Sequence, residues 1–146
     1  LTDLVEALTE IAQEEMKHFG MVLERIKERG FTLGYERKDD YVADLAKFIK
    51  RGGSREEQLV DRLLFAAMIE ARSCERFRML SEKIEDAALA EFYRELMISE
   101  AGHYTTFIGF ARKYGGNVNV DERWQQFLDH EAEVIQNYGK KETMHG

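Results

Sequence analysis

Two Glu-x-x-His pairs constrain this chain more than any other feature, because both fall on stripes otherwise built from core residues. Leu4, Leu8, Ile11, Glu15, His18 and Val22 follow one another at steps of three or four. Phe92, Leu96, Glu100, His103, Phe107 and Phe110 do the same. A third stripe, Val60, Leu63, Ala67, Glu70, Cys74 and Phe77, carries a lone carboxylate. Such steps put residues on one face of an α-helix. No alternating strand pattern competes, so the sequence predicts an all-α fold.

Glu15, Glu70 and Glu100 therefore stand where Leu or Ile is expected, and burying carboxylates without compensation is costly. A pair of divalent metal ions would compensate. Residues i and i+3 share a helix face, so Glu15 with His18 can offer oxygen and nitrogen to one ion. Glu100 with His103 can serve a second, and a bridging carboxylate can span ions roughly 3.5–4 Å apart. Helical bundles that hold such pairs use two Glu-x-x-His helices and two helices giving one Glu each. Five of those six ligands are visible. Glu70 precedes Glu100 by 30 residues (100 − 70). By analogy the sixth is expected a similar distance before Glu15, upstream of Leu1. The chain also opens at Leu1, without an initiator Met and directly in a helical pattern. The expectation is a protein that begins earlier.

The helices expected are about 1–29, stopped by Gly30; a short one from about Asp40 to Lys50, with Tyr41, Leu45, Phe48 and Ile49 facing inward; about 55–84; about 86–114, ended by Gly115-Gly116; and about 121–138. Ser54 with Glu57 reads as a capping box. The last helix is expected to bury Trp124, Phe127, Leu128, Ala132 and Ile135. Two helical hairpins joined by a long crossover, here 31–56, make the ferritin-like topology. The expected fold is thus an all-α, ferritin-like four-helix bundle with an extra C-terminal helix, lacking its first helix in this chain. Residues 1–138 form one domain in this reading, and 139–146 a polar tail.

Composition adds exclusions. No apolar run approaches the ~20 residues of a membrane span, and no signal peptide is evident. The single cysteine, Cys74, cannot form an internal disulfide, which points to a reducing, cytoplasmic setting. Net charge is −7, against a broad nucleic-acid-coating surface. The stretch 24–55 is locally basic: Arg25, Lys27, Arg29, Arg37, Lys38, Lys47, Lys50, Arg51 and Arg55 face Glu24, Glu28, Glu36, Asp39, Asp40 and Asp44, a balance of 9 − 6 = +3. A solvated helix face and a phosphate-contacting patch are equal readings of it. Arg72 and Arg76 read as ion-pair partners for Glu75, and Glu14 as solvated. His130, Glu131 and Glu133 read as surface or capping groups, Cys74 as a small buried residue, and Tyr93 and Tyr104 as packing. His145 lies in the tail.

Three segments resemble one family: Ile69-Glu70-Ala71-Arg72-Ser73-Cys74-Glu75-Arg76-Phe77, Ser99-Glu100-Ala101-Gly102-His103-Tyr104 and Glu14-Glu15-Met16-Lys17-His18-Phe19. They are similar to the signatures of bacterial tRNA isopentenyl-adenosine hydroxylases, and the likeness spans nearly the whole chain. The resemblance implies a non-haem di-iron monooxygenase that uses dioxygen as co-substrate. Its substrate would be the isopentenyl group of a methylthiolated, prenylated adenosine beside the tRNA anticodon. Glu15, His18, Glu70, Glu100 and His103 would be the iron ligands, with Glu70 and either Glu15 or Glu100 bridging. No flavin or iron–sulfur motif is present, so an external reductase would supply electrons. The oligomeric state is open between monomer and dimer. A ferritin-like iron oxidase or storage protein, or another ferritin-like di-metal oxidoreductase, is the competing reading.

Overall fold

The computed structural model describes residues 1–35 and 38–138. Glu36, Arg37 and the tail from Gly139, His145 included, lie outside the described residues. Among the described residues five helices follow in order, α1 (Thr2–Glu28), α2 (Asp40–Ala46), α3 (Arg55–Lys83), α4 (Ala87–Tyr114) and α5 (Val120–Tyr138). No strand occurs among the described residues. The backbone divides into two compact units, Leu1–Lys38 and Asp39–Gly146.

The first unit is α1 and the segment after it. Gly30 stops the helix at φ +73°, a left-handed conformation that glycine adopts without strain. Its N–H reaches the Lys27 carbonyl at 2.9 Å and the Phe31 N–H reaches Ile26 at 3.0 Å. Those two bonds satisfy carbonyls that a helix end otherwise leaves open. The stripe expected to face a core is largely exposed. Leu4 is buried, but Leu8 and Val22 are not. Periodicity identifies the apolar side of a helix and does not say that anything covers it.

The second unit is built on the α3–α4 hairpin. Ser54 caps α3 as expected: its hydroxyl accepts from Glu57 N–H at 3.1 Å, and Glu57 accepts from Ser54 N–H at 2.9 Å. Asp86 caps α4 by accepting from Leu89 N–H at 3.0 Å. The two helices zip antiparallel away from their short loop. Phe77 stacks on Tyr93 with centroids 5.7 Å apart, and further along Cys74 Sγ lies 3.6 Å from the Met97 carbonyl. At the far end Gly115 is buried where α3, α4 and α5 converge. A Cβ there would stand 2.7 Å from the Ala111 carbonyl and about 3 Å from Val120 and Val60 side chains. The stripes of α3 and α4 fill the seam between the helices, with Val60, Leu63, Ala67, Phe92, Leu96 and Phe107 all buried.

Two ion pairs, one buried and one half-buried, hold α2 and α5 against α3. Asp61, 2 % exposed, accepts from Arg123 Nε at 2.8 Å, from Arg123 Nη2 at 2.7 Å and from the Lys50 N–H at 2.7 Å. Arg123 also donates to the Phe48 carbonyl at 3.0 Å and lies over the Phe48 ring, 4.3 Å from its centroid. Further along, Glu131 accepts from the Tyr41 hydroxyl at 2.7 Å and from Arg72 Nε at 2.8 Å. Arg72 donates to Glu75 as well, at 2.8 Å, the partner expected for it. Burial first, then the Glu131 carboxylate, pushes the Tyr41 phenol well above the usual tyrosine range. Asp61 and Arg72 are 11 residues apart, three helical turns, so they share one face of α3. Their partners come in the same order on α5, which therefore runs parallel to α3.

This arrangement corrects the reading of α5. Its buried stripe is Val120, Arg123, Phe127, Glu131 and Val134. Leu128 and Ile135 are exposed, as is Ala132, and Trp124 is half-buried. Glu131 is not a surface or capping group. His130 also packs inward, stacked on Phe48 with centroids 4.5 Å apart. Charged residues took the core positions because Asp61 and Arg72 wait opposite them.

Removing one partner of a buried pair strands the other charge, at about 3–5 kcal/mol. Asp61→Ala is therefore expected to lower unfolding stability by that much in urea titrations. The Asp61→Leu/Arg123→Met double variant should lose clearly less than the sum of its single changes.

Candidate metal centre

The hairpin brings three of the five expected ligands together. Glu70 is on the α3 stripe, and Glu100 and His103 are one turn apart on α4. One carboxylate oxygen from each Glu and one ring nitrogen of His103 lie within 4.8 Å of one another. His103 Nδ1 is 3.7 Å from Glu70 Oε2. Glu100 is 6 % exposed and His103 4 %, and Glu70 is half-buried. The seam above and below is apolar: Ala67 lies one turn from Glu70, and Leu96 and Phe107 lie one turn from Glu100 and His103.

Glu15 and His18 form the other expected pair, in the first unit. They face each other across one turn of α1, with His18 Nδ1 3.5 Å from Glu15 Oε1. Glu15 is exposed and His18 is half-buried. The i, i+3 spacing thus delivers the local geometry expected of it.

The donor chemistry fits iron. Carboxylate oxygens and imidazole nitrogens suit iron, zinc or manganese, whereas thiolate would favour softer ions. Cys74 does not join the set. Burial, then the Glu100 carboxylate, raises its thiol pKa, and the protonated sulfur points to the Met97 carbonyl. Tyr104 packs at 5.8 Å from Trp124 and Tyr93 on Phe77, as expected for packing residues. Glu14 is exposed.

Other features separate from this centre. An open groove of about 680 Å³ is lined by Lys50, Ser54, Asn117, Asn119 and Gln126, among others, and by none of the five expected ligands. Much of the basic stretch is neutralised by near neighbours: Arg25 pairs with Glu28, Lys27 with Glu24, Lys47 with Asp44 and Lys50 with Glu57. No helix among the described residues is long and apolar enough to cross a membrane.

An all-helical unit carrying a carboxylate–imidazole cluster in its hairpin seam is the build of ferritin-like oxygenases. Comparison with a solved structure agrees. A Synechococcus protein with aldehyde deformylating oxygenase activity superposes with a TM-score of 0.81 at 32% identity, covering 95% of this chain and 66% of that one. The family follows from the sequence. The family model described as tRNA-(MS[2]IO[6]A)-hydroxylase (MiaE) matches residues 1–146, and the chain belongs to that family. It is 33% identical over 143 residues to the tRNA 2-(methylsulfanyl)-N(6)-isopentenyladenosine(37) hydroxylase of Pseudomonas putida, and spans 68% of that protein. It is 30% identical over 132 residues to the hydroxylase of the same name from Salmonella typhimurium, spanning 47% of it. The chain therefore covers about half to two thirds of the proteins it resembles.

Clustered carboxylates repel when no cation separates them. Glu100→Gln is expected to raise the stability of the metal-free chain by about 0.5–2 kcal/mol, the usual trade between stability and activity at such a site. It should weaken metal binding at the same time. Thermal unfolding with and without cobalt(II) checks both; a destabilised metal-free variant would contradict the repulsion.

Proposed function

We propose that this chain is the metal-binding part of a non-haem di-iron monooxygenase that hydroxylates the isopentenyl group of a methylthiolated, prenylated adenosine in the tRNA anticodon loop. The convergence of Glu70, Glu100 and His103 in the α3–α4 seam carries this reading. Family membership and the names of both curated relatives support its substrate. Residues 1–138 act in it as one ferritin-like domain.

Glu70, Glu100 and His103 would hold iron from the hairpin, and Glu15 and His18 would supply the donors of α1. Two bound iron ions would supply electrons and open coordination positions for dioxygen, which delivers one oxygen atom to an allylic C–H bond. The chain's own side chains set the conditions. Glu70 and Glu100 provide negative charge that favours the oxidised metal. Leu96, Phe107 and Ala67 make the surroundings apolar, which suits a prenyl group and keeps water out. The base must leave its stack to place that group in the seam, and a single-stranded anticodon loop permits this. The second oxygen atom would leave as water with two protons, and an external reductase would return to the site the two electrons consumed. The enzyme works in the cytoplasm.

The Synechococcus neighbour favours a second reading, an oxygenase acting on an aldehyde. An iron oxidase is the third. One experiment separates them. The protein is incubated with ferrous iron, a reductant, dioxygen and tRNA bearing the prenylated adenosine, and nucleosides are analysed by mass spectrometry. The expected result is a gain of one oxygen on that nucleoside, lost in Glu70→Ala. Unchanged tRNA from an iron-loaded sample, with an aldehyde added in parallel consumed or only iron oxidised, would replace this function with one of the other two.

A further inference from the structure

We infer that the Ser99 hydroxyl is a positioning group for the metal centre: it accepts the Nε2 proton of His103 and so commits Nδ1 to the metal. The inference rests on the metal reading above and adds a residue that reading does not use.

A neutral imidazole has one nitrogen with a proton and one with a lone pair, and a metal takes the lone pair. In this structure the two ring nitrogens of His103 face different groups. Nδ1 is on the carboxylate side, 3.7 Å from Glu70 Oε2. Nε2 is on the other side, 3.5 Å from Ser99 Oγ. Ligation on the carboxylate side thus requires the proton on Nε2, where the serine oxygen can receive it.

The helix explains the pairing. Ser99 is four residues before His103, so the two side chains share a face of α4. A helical serine often donates its proton to a backbone carbonyl in the preceding turn. That use consumes its one donor and leaves its lone pairs available to Nε2–H. His103 is 4 % exposed, so a protein acceptor matters more here than it would for an exposed ring.

The chemical choice of acceptor also matters. Metal-bound histidines commonly donate their second N–H to a carboxylate, which increases the ring's electron donation. A hydroxyl fixes the same tautomer without adding negative charge beside Glu70 and Glu100. The corresponding position before His18 holds Glu14, so the two Glu-x-x-His pairs differ at this register.

Cobalt(II) titration of the full chain, followed by its visible absorption under anaerobic conditions, tests the role. Threonine and valine have nearly the same shape and differ by the hydroxyl. Ser99→Thr is expected to bind cobalt within a few-fold of the parent. Ser99→Val and Ser99→Ala should bind about 10–100-fold more weakly, the usual cost of losing such a partner. The metal-free melting temperatures of the Thr and Val variants should agree, which separates positioning from packing. Equal cobalt affinity for the Thr and Val variants would overturn the inference. A parent chain that binds no cobalt would instead overturn the metal reading beneath it.

Discussion

The structure turns on the placement of two carboxylates and an imidazole in the seam of the α3–α4 hairpin. Glu100 and His103 occupy positions that packing alone would give to leucine, and Glu70 meets them from the facing helix. Bringing those charges out of water costs several kcal/mol per ion before any compensation. The hairpin must therefore be held by other interactions strong enough to keep the cluster assembled. A bound metal pair, as proposed, would recover that cost.

Those other interactions lie on a different face of α3. The Asp61–Arg123 and Arg72–Glu131 pairs fasten α5 along the helix, and Tyr41, Phe48 and Lys50 bring α2 and its exit into the same two knots. Each knot satisfies its charges with several hydrogen bonds, the condition under which buried ion pairs persist. The segment 39–50 is thus more than a connection between longer helices. It seals the side of α3 away from α4, and leaves the α4 side for the ligands.

How much of this was legible in the sequence depends on which physical signal each element carries. Helix ends were legible because caps are local: Gly30, Ser54 with Glu57 and Gly115-Gly116 each act within one turn. The α3 and α4 stripes were legible because an apolar period of three and four has one meaning when two such helices adjoin. The α5 face was not, because Arg123 and Glu131 are charged, and charge is read as solvent-facing until partners are found. The partners were present at matching spacing, Asp61 and Arg72 on one face of α3, and complementary order along the two helices was the available signal. On α1 the stripe was real, but cover is a tertiary property that periodicity does not carry. Of the candidate ligands, Glu70, Glu100 and His103 converge as expected, and Glu15 and His18 keep their expected local pairing.

The central claim is that these carboxylates and imidazoles exist to hold two iron ions side by side. X-ray absorption spectroscopy of the anaerobically iron-loaded protein tests it most directly. The account predicts oxygen and nitrogen neighbours, no sulfur from Cys74, and an iron–iron vector of roughly 3.5–4 Å, the spacing of two-metal sites. A first shell of the same atoms with no iron–iron vector at an iron content near two per chain, or a sulfur ligand, would contradict it.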